Sequence, residues 1–326
     1  MKRSRRAFLH LAAGGIASLP VISRFAWAQA YPSRPVRIVV PFAPAGTTDV
    51  AARLVGQWLS ERLGQQFIVE NRPGAGGNIG IEAVVRAPPD GYTLLMTDPS
   101  PTIGATLYDR LNFNFIHDIA PVIGVLRSPF VIVINPAVPV KSVPEFIAYA
   151  KANPRKVNMG SAGTGSTQHV AGELFKMMAA ADMVHVPYRG GGPALTDLIA
   201  GQVQVLFLPP AISIEHIRTG RLRPLAVTTA TRFDSLPDIP SLSEFIAGYE
   251  ASTWFGVGAP RSTPTDVIDK LNQHINAALA DPNIKARLAE LGGTVLGGSS
   301  ADFGKLIAED TEKWGKVVRF AGIKPE

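Results

Sequence analysis

Residues 35–54 read PVRIVVPFAPAGTTDVAARL. The β-branched run 36–40 is a short buried strand and 41–47 a turn. Residues 49–63 form a helix with Val50, Leu54, Trp58 and Leu59 on one side, ended by Gly64. A strand feeding a helix through a tight turn is the repeating unit of an open α/β sheet. The pattern recurs outward from here: a strand over 67–70, a glycine-rich stretch over 71–80 leading into a helix that carries Ile81, Val84 and Val85, a turn over 88–91, and a strand over 92–96. The apolar segment 122–134, interrupted at Ser128-Pro129, predicts a first crossing to a fresh β/α series between 143 and 207, and residues 225–228 predict a returning strand. Parallel sheets with crossover helices follow, in two lobes: 31–127 with 229–326, and 128–228. The C-terminal part reads as mainly helical, over 264–280, 282–291 and 300–321.

Residues 1–30 read as an export signal rather than as fold. Ser4-Arg5-Arg6-Ala7-Phe8-Leu9 is a twin-arginine core followed by a weakly apolar stretch, with small-residue cleavage sites after Ala28 or Ala30. A membrane span would need a longer apolar run without Pro20 and Arg24. Lys2, Arg3, Arg5, Arg6 and Arg24 leave with the signal, which lowers the formal charge from +6 to +1 and removes the case for nucleic acid or an anionic membrane surface. The chain has no cysteine, which excludes disulfides, thiolate metal sites and a cysteine nucleophile. A periplasmic location is expected, with no cofactor and no metal.

The turns after strands are where an open α/β sheet binds ligands. In the first, Phe42, Ala45, Gly46, Thr47 and Asp49 open a helix whose N–H groups suit an anion, or else Thr48 or Asp49 simply caps it. The glycines at 74, 76 and 80 miss the dinucleotide pattern G-x-G-x-x-G, because position 79 is isoleucine; they predict a turn that brings backbone near the cleft. Asp98 before Pro99 reads as a helix cap, or as an acceptor for a ligand hydroxyl or amine. Residues 160–169, GSAGTGSTQH, offer Ser161, Gly163, Thr164, Ser166 and Thr167 to one small anion. His169 and Glu173 sit at i,i+4, as two metal ligands without a third or as a helix-surface pair. Tyr188 lines a pocket or packs at a hinge, and Arg189 faces a carboxylate or the solvent.

Seven segments, in consistent order over the mature chain, carry a resemblance: 35–54 quoted above, IVENRPGAGGNIG (68–80), PPDGYTLLM (88–96), GSAGTGSTQHVAGELF (160–175), MVHVPYRGGGPALTDLIAGQV (183–203), RPLAVTTATR (223–232) and KWGKVV (313–318). Together they resemble the substrate-binding receptors of the tripartite tricarboxylate transporter, or Bug, family. The resemblance implies a two-lobed type II periplasmic binding fold with a ligand cleft between the lobes. It implies a small carboxylate held by backbone groups, hydroxyls and water, for delivery to membrane transporter subunits or for sensing; a monomer is expected. Two departures stand out: the family's Pro-Gly-Gly is Pro44-Ala45-Gly46 here, and Leu208 replaces an acidic residue common after the strand ending at Phe207. Leu208 predicts a less polar wall and a ligand with an apolar or aromatic body. The competing reading is an exported hydrolase of small esters or amides, but Ser161 and Ser166 lie outside any G-x-S-x-G elbow.

Overall fold

The computed structural model describes residues 31–325, so the export signal expected over 1–30 lies outside the described residues. In chain order the elements are β1 (Val36–Val40), α1 (Thr47–Leu63), β2 (Phe67–Asn71), α2 (Asn78–Val85), β3 (Thr93–Thr97), α3 (Ser100–Leu107), α4 (Phe115–Asp118), β4 (Ile119–Pro129) and β5 (Val131–Ile134). They continue with α5 (Val143–Ala152), β6 (Asn158–Ser161), α6 (Thr167–Ala179), β7 (Val184–Pro187), α7 (Gly191–Ile199), β8 (Val205–Leu208), α8 (Pro210–Arg218) and β9 (Arg223–Val227). The last are β10 (Ser252–Pro260), α9 (Thr265–Ala280), α10 (Pro282–Glu290), β11 (Thr294–Gly297) and α11 (Ser300–Ala321).

Two sheets form, β11-β4-β10-β3-β1-β2 and β7-β6-β8-β5-β9. Each is parallel only where strand and helix alternate: β2-β1-β3 in the first and β7-β6-β8 in the second. The strands β4, β10 and β11, and likewise β5 and β9, run antiparallel to their neighbours, where the sequence reading expects parallel sheets with crossover helices. Chain direction explains the difference. Strands β4 and β5 lead out to the second lobe while β9 and β10 lead back, and outgoing and returning strands side by side must oppose each other.

Strand β10 is buried at all nine positions yet absent from the sequence reading. Its Gly256, Gly258 and Ala259 weaken the strand signature. Gly256 has a packing reason: a Cβ there would sit 2.1 Å from the Phe303 ring of α11. Residues 229–251, which the sequence reading gives to lobe 1, pack on the second sheet. Phe233 and Ile239 join the cluster around Leu198 and Leu206, and Leu242, Ile246 and Tyr249 join that around Phe146, Phe175 and Phe207.

Helix α11 belongs to both lobes. Phe303 and Ile307 near its start pack with Val39, Leu95 and Trp254, while Trp314, Val317 and Val318 near its end enter the second lobe's core. The crossings themselves are stitched together by Thr228, which is fully buried. Its amide and hydroxyl donate to the Phe130 carbonyl at 2.9 and 3.1 Å, the Phe130 amide donates back to the hydroxyl at 2.8 Å, and the Ala251 amide donates to the Thr228 carbonyl at 2.9 Å. Thr228→Val keeps the volume but orphans the Phe130 amide. It is expected to cost about 1–3 kcal/mol in chemical denaturation, whereas Thr228→Ser stays near wild type; equal stability of all three proteins would remove Thr228 from the junction's energetics.

Candidate functional site

The turn between β6 and α6 is built around two glycines in backbone conformations that side chains rarely adopt. Gly163 has φ +133° and Gly165 φ +75°, in the left-handed region closed to most side chains. A Cβ on Gly165 would also come within 2.4 Å of Leu107 Cδ2 on α3, in the other lobe. Side chains beneath the turn fix its shape. The Ala162 amide donates to Gln168 Oε1 (2.9 Å), the Gly163 amide to Ser161 Oγ (3.1 Å) and the Gly165 amide to His169 Nδ1 (3.1 Å). Ser166 closes the turn as the cap of α6, its hydroxyl accepting from the His169 amide.

Below this turn lies a buried polar cluster. Ser161 Oγ shares a 2.7 Å hydrogen bond with His185 Nε2, and the His185 ring stacks on His169 at 3.5 Å between centroids. Because His169 Nδ1 accepts from Gly165, its proton resides on Nε2, 3.6 Å from Glu173 Oε1; Glu173 also takes a 2.8 Å contact from Lys176. His169 and Glu173 are 4% and 3% exposed, so this is an interior pair rather than a helix-surface one. Burial, then the neighbouring His169, hold the His185 ring down to about 3. Such a ring is neutral and a poor base at neutral pH, and Ser161 is 1% exposed, so the pair braces the turn rather than forming a nucleophile and base.

Facing the turn, the first lobe supplies Phe42 after β1, Gly76 after β2, and Ser100, Gly104, Leu107 and Tyr108 from α3 and its end. Together with residues 162–166 they line a cavity of about 260 Å³ that carries no charged side chain. Gly76, at φ +64°, leaves room for the Tyr108 hydroxyl, which would lie 2.9 Å from a Cβ there. Of the residues predicted from sequence, the cavity gathers Phe42, Gly163, Thr164 and Ser166.

The other predicted residues are placed differently. Ala45, Gly46 and Thr47 stand at the start of α1, beyond the cavity lining. Asp49 is 2% exposed and accepts from the Ala45 amide, twice from Arg53 and from Asn71, so it anchors the turn it opens; burial acts against its charge but these bonds hold its carboxyl below the usual range. Asp98 accepts from the Ser100 amide at 2.9 Å but is not the cap of α3, which is Pro99, and burial pushes its carboxyl up. Ser161, Thr167 and His169 lie outside the lining, Tyr188 donates to Asp197 at 2.7 Å, and Leu208 is 1% exposed among core residues rather than on the cleft wall. The α3 contribution escaped the sequence reading. Its signal was there: Ser100, Gly104, Leu107 and Tyr108 recur at the spacing of one helix face.

Comparison with known proteins adds a family. Residues 51–323 match the family described as tripartite tricarboxylate transporter family receptor. Protein BugT of Bordetella pertussis is 37% identical over 302 residues, 91% of this chain and 92% of BugT. The solved structure of R. palustris Rpa4515 with adipate superposes with a TM-score of 0.79 at 38% identity, covering 91% of this chain and all of that one. MatC from Rhodopseudomonas palustris with bound malate gives 0.75 at 30% identity, covering 88% and 100%.

Two outcomes follow from the geometry. Ala45, where the resemblance expects glycine, has φ +68° and an exposed side chain, so Ala45→Gly is expected to stabilise the fold by roughly 1 kcal/mol in denaturant titration; a loss of stability would contradict the strain. His185 is depressed from 6.5 to about 3, so between those values the unfolded chain binds a proton that the folded one refuses. Stability is then complete above about pH 6.5 and declines as pH falls towards 3, by at most roughly 1.4 kcal/mol per pH unit. His185→Gln should flatten that slope in pH-dependent denaturation, and an unchanged slope would clear His185 of it.

Proposed function

Because the chain belongs to the tripartite tricarboxylate transporter receptor family, we propose that it captures a small organic acid between the 162–166 turn and α3 and presents the closed form to membrane transporter subunits. One observation carries this reading: two lobes share a cavity lined by hydroxyls, glycine backbone and apolar surface, with no charge of its own. An anion held by neutral donors avoids the desolvation of a buried opposing charge. The hydroxyls of Ser100, Tyr108 and Ser166 are the donors, and the first turn of α6 adds its amides and the positive end of the helix dipole.

The cavity lies just below the usual ~300–1,000 Å³ range of ligand pockets, which favours a compact molecule. Phe42, Leu107 and Tyr108 supply the apolar wall expected of Leu208. A mono- or dicarboxylate with an aliphatic or aromatic body fits this chemistry better than a polyanionic tricarboxylate. Rpa4515 with adipate and MatC with malate support the class. The ligand touches both lobes, so its contacts are complete only when they close, and binding shifts the population to the closed state.

Export places the site where such a receptor works. The Arg5-Arg6 signal and cleavage after Ala28 or Ala30 are part of the proposal, as are the periplasmic location and a monomeric state.

A thermal-shift panel of adipate, malate, benzoate, nicotinate and citrate tests the assignment. At least one of the first four is expected to raise the melting temperature by several degrees, as mass action at saturating ligand requires, with citrate the weakest. Stabilisation by citrate alone would contradict it. Gly165→Ala, which drives a methyl group into Leu107 and strains the backbone, is expected to weaken that acid by roughly tenfold or more in calorimetry. Unaltered affinity would mean that the lobes do not meet there in the bound state.

A further inference from the structure

Strand β4 carries an arginine, Arg127, that forms no ion pair among the described residues. Its buried Nε has no hydrogen-bond partner, and no carboxylate among the described residues pairs with it. The register places Arg127 opposite Trp254 of β10, so both side chains leave the same face of the sheet. That face is covered by α11, since the Trp254 ring meets Phe303 edge-on at 5.2 Å. Under α11, Arg127 lines a cavity of about 210 Å³ whose other walls are Gly124, Leu296, Gly297, Asp302, Phe303 and Leu306.

The acids of α11 are committed elsewhere. Asp302 accepts from the amide and hydroxyl of Ser299 at 2.9 and 2.6 Å, closing the capping box of its own helix. Asp310 is shared between Trp254 Nε1 at 2.6 Å and Lys313 at 2.7 Å. A guanidinium with a desolvated N–H donor beside Leu296, Phe303 and Leu306, with Asp302 held on Ser299 at the rim, matches a planar carboxylate joined to an apolar body. The cavity lies against β4, β11 and α11 and shares no lining residue with the cleft.

We infer that this cavity is a second site, taking the carboxylate of a compact organic acid on Arg127 and its apolar body against Leu296, Phe303 and Leu306. Residue 127 directly precedes Ser128 and Pro129, where the chain leaves the first sheet. Occupancy therefore bears on the strand that carries the crossing.

The test is a ¹⁹F-NMR titration of the purified protein with 4-fluorobenzoate. Wild type is expected to show a saturable bound signal that depends on Arg127, shifted by roughly tenfold or more in concentration in Arg127→Met and by less in Arg127→Lys. Gly165→Ala, which alters the cleft, retains this signal, so failure of the cleft reading and failure of this one are told apart. Should Arg127→Met not fold, Leu306→Glu replaces it: a carboxylate over the same cavity occupies the guanidinium and abolishes the signal. Identical titrations in wild type and the folded variants overturn the site. Equal competition by inorganic phosphate overturns the organic-acid assignment, because the apolar walls would then contribute nothing.

Discussion

Thr228 clasps the backbone of Phe130 where the outgoing and returning strands pass each other, and the rest of the molecule is arranged about that clasp. An outgoing strand beside a returning one forces both sheets to be antiparallel at the junction and leaves their parallel halves free to run outward. The turns after β1 and β3 in one lobe and after β6 in the other then face a common space, as ligand sites of open α/β sheets do. Helix α11 limits the freedom this leaves. With Phe303 in one core and Trp314 in the other, a large twist between lobes would have to pull a buried aromatic side chain out of its packing. Motion about the clasp is thereby restricted to bending that preserves both ends of the helix.

The cavity-lining turn of the second lobe is braced by side chains that lie beneath it. Amides 162, 163 and 165 are spent on Gln168, Ser161 and His169, so the turn does not offer its whole backbone to an anion, as the sequence alone suggests. What it offers is a fixed shape, with hydroxyls and the first turn of α6 presented at set positions. Order established before binding does not have to be created during it, and the entropy lost on capture is correspondingly smaller. The His185 ring contributes through its neutrality: burial first, and then the neighbouring His169, oppose a charge on it.

Much of this was legible in the sequence. The alternation of β-branched runs with amphipathic helices gave the α/β class, and Ser128-Pro129 marked the first crossing, because local pattern determines both. The second-lobe turn was readable because glycine at 163 and 165 and hydroxyls at 164 and 166 have a local purpose. Strand β10 was hidden, since its Gly256 answers to the Phe303 ring, a contact made across 47 residues of chain. Leu208 and Asp49 misled for a related reason. Sequence puts them beside the right turns, but which way a side chain points depends on strand register and on partners such as Arg53 and Asn71.

In the receptor proposed above, the close approach of Leu107 to Gly165 would let the cleft select by size. These two residues line the cavity and also form the contact between lobes, so the depth of the cavity and the degree of closure are one variable. An acid short enough to lie beneath the contact collects donors from both lobes. One that is too long holds Leu107 away from Gly165, keeps only one lobe's contacts and leaves the apolar wall partly wetted. The two acids then differ little in affinity for the open form and greatly in how far they shift the equilibrium towards the closed one. Under that proposal, discrimination would follow from the population of closed receptor rather than from encounter with the open one. No charged residue is needed to enforce it, which agrees with a cleft whose lining contains none.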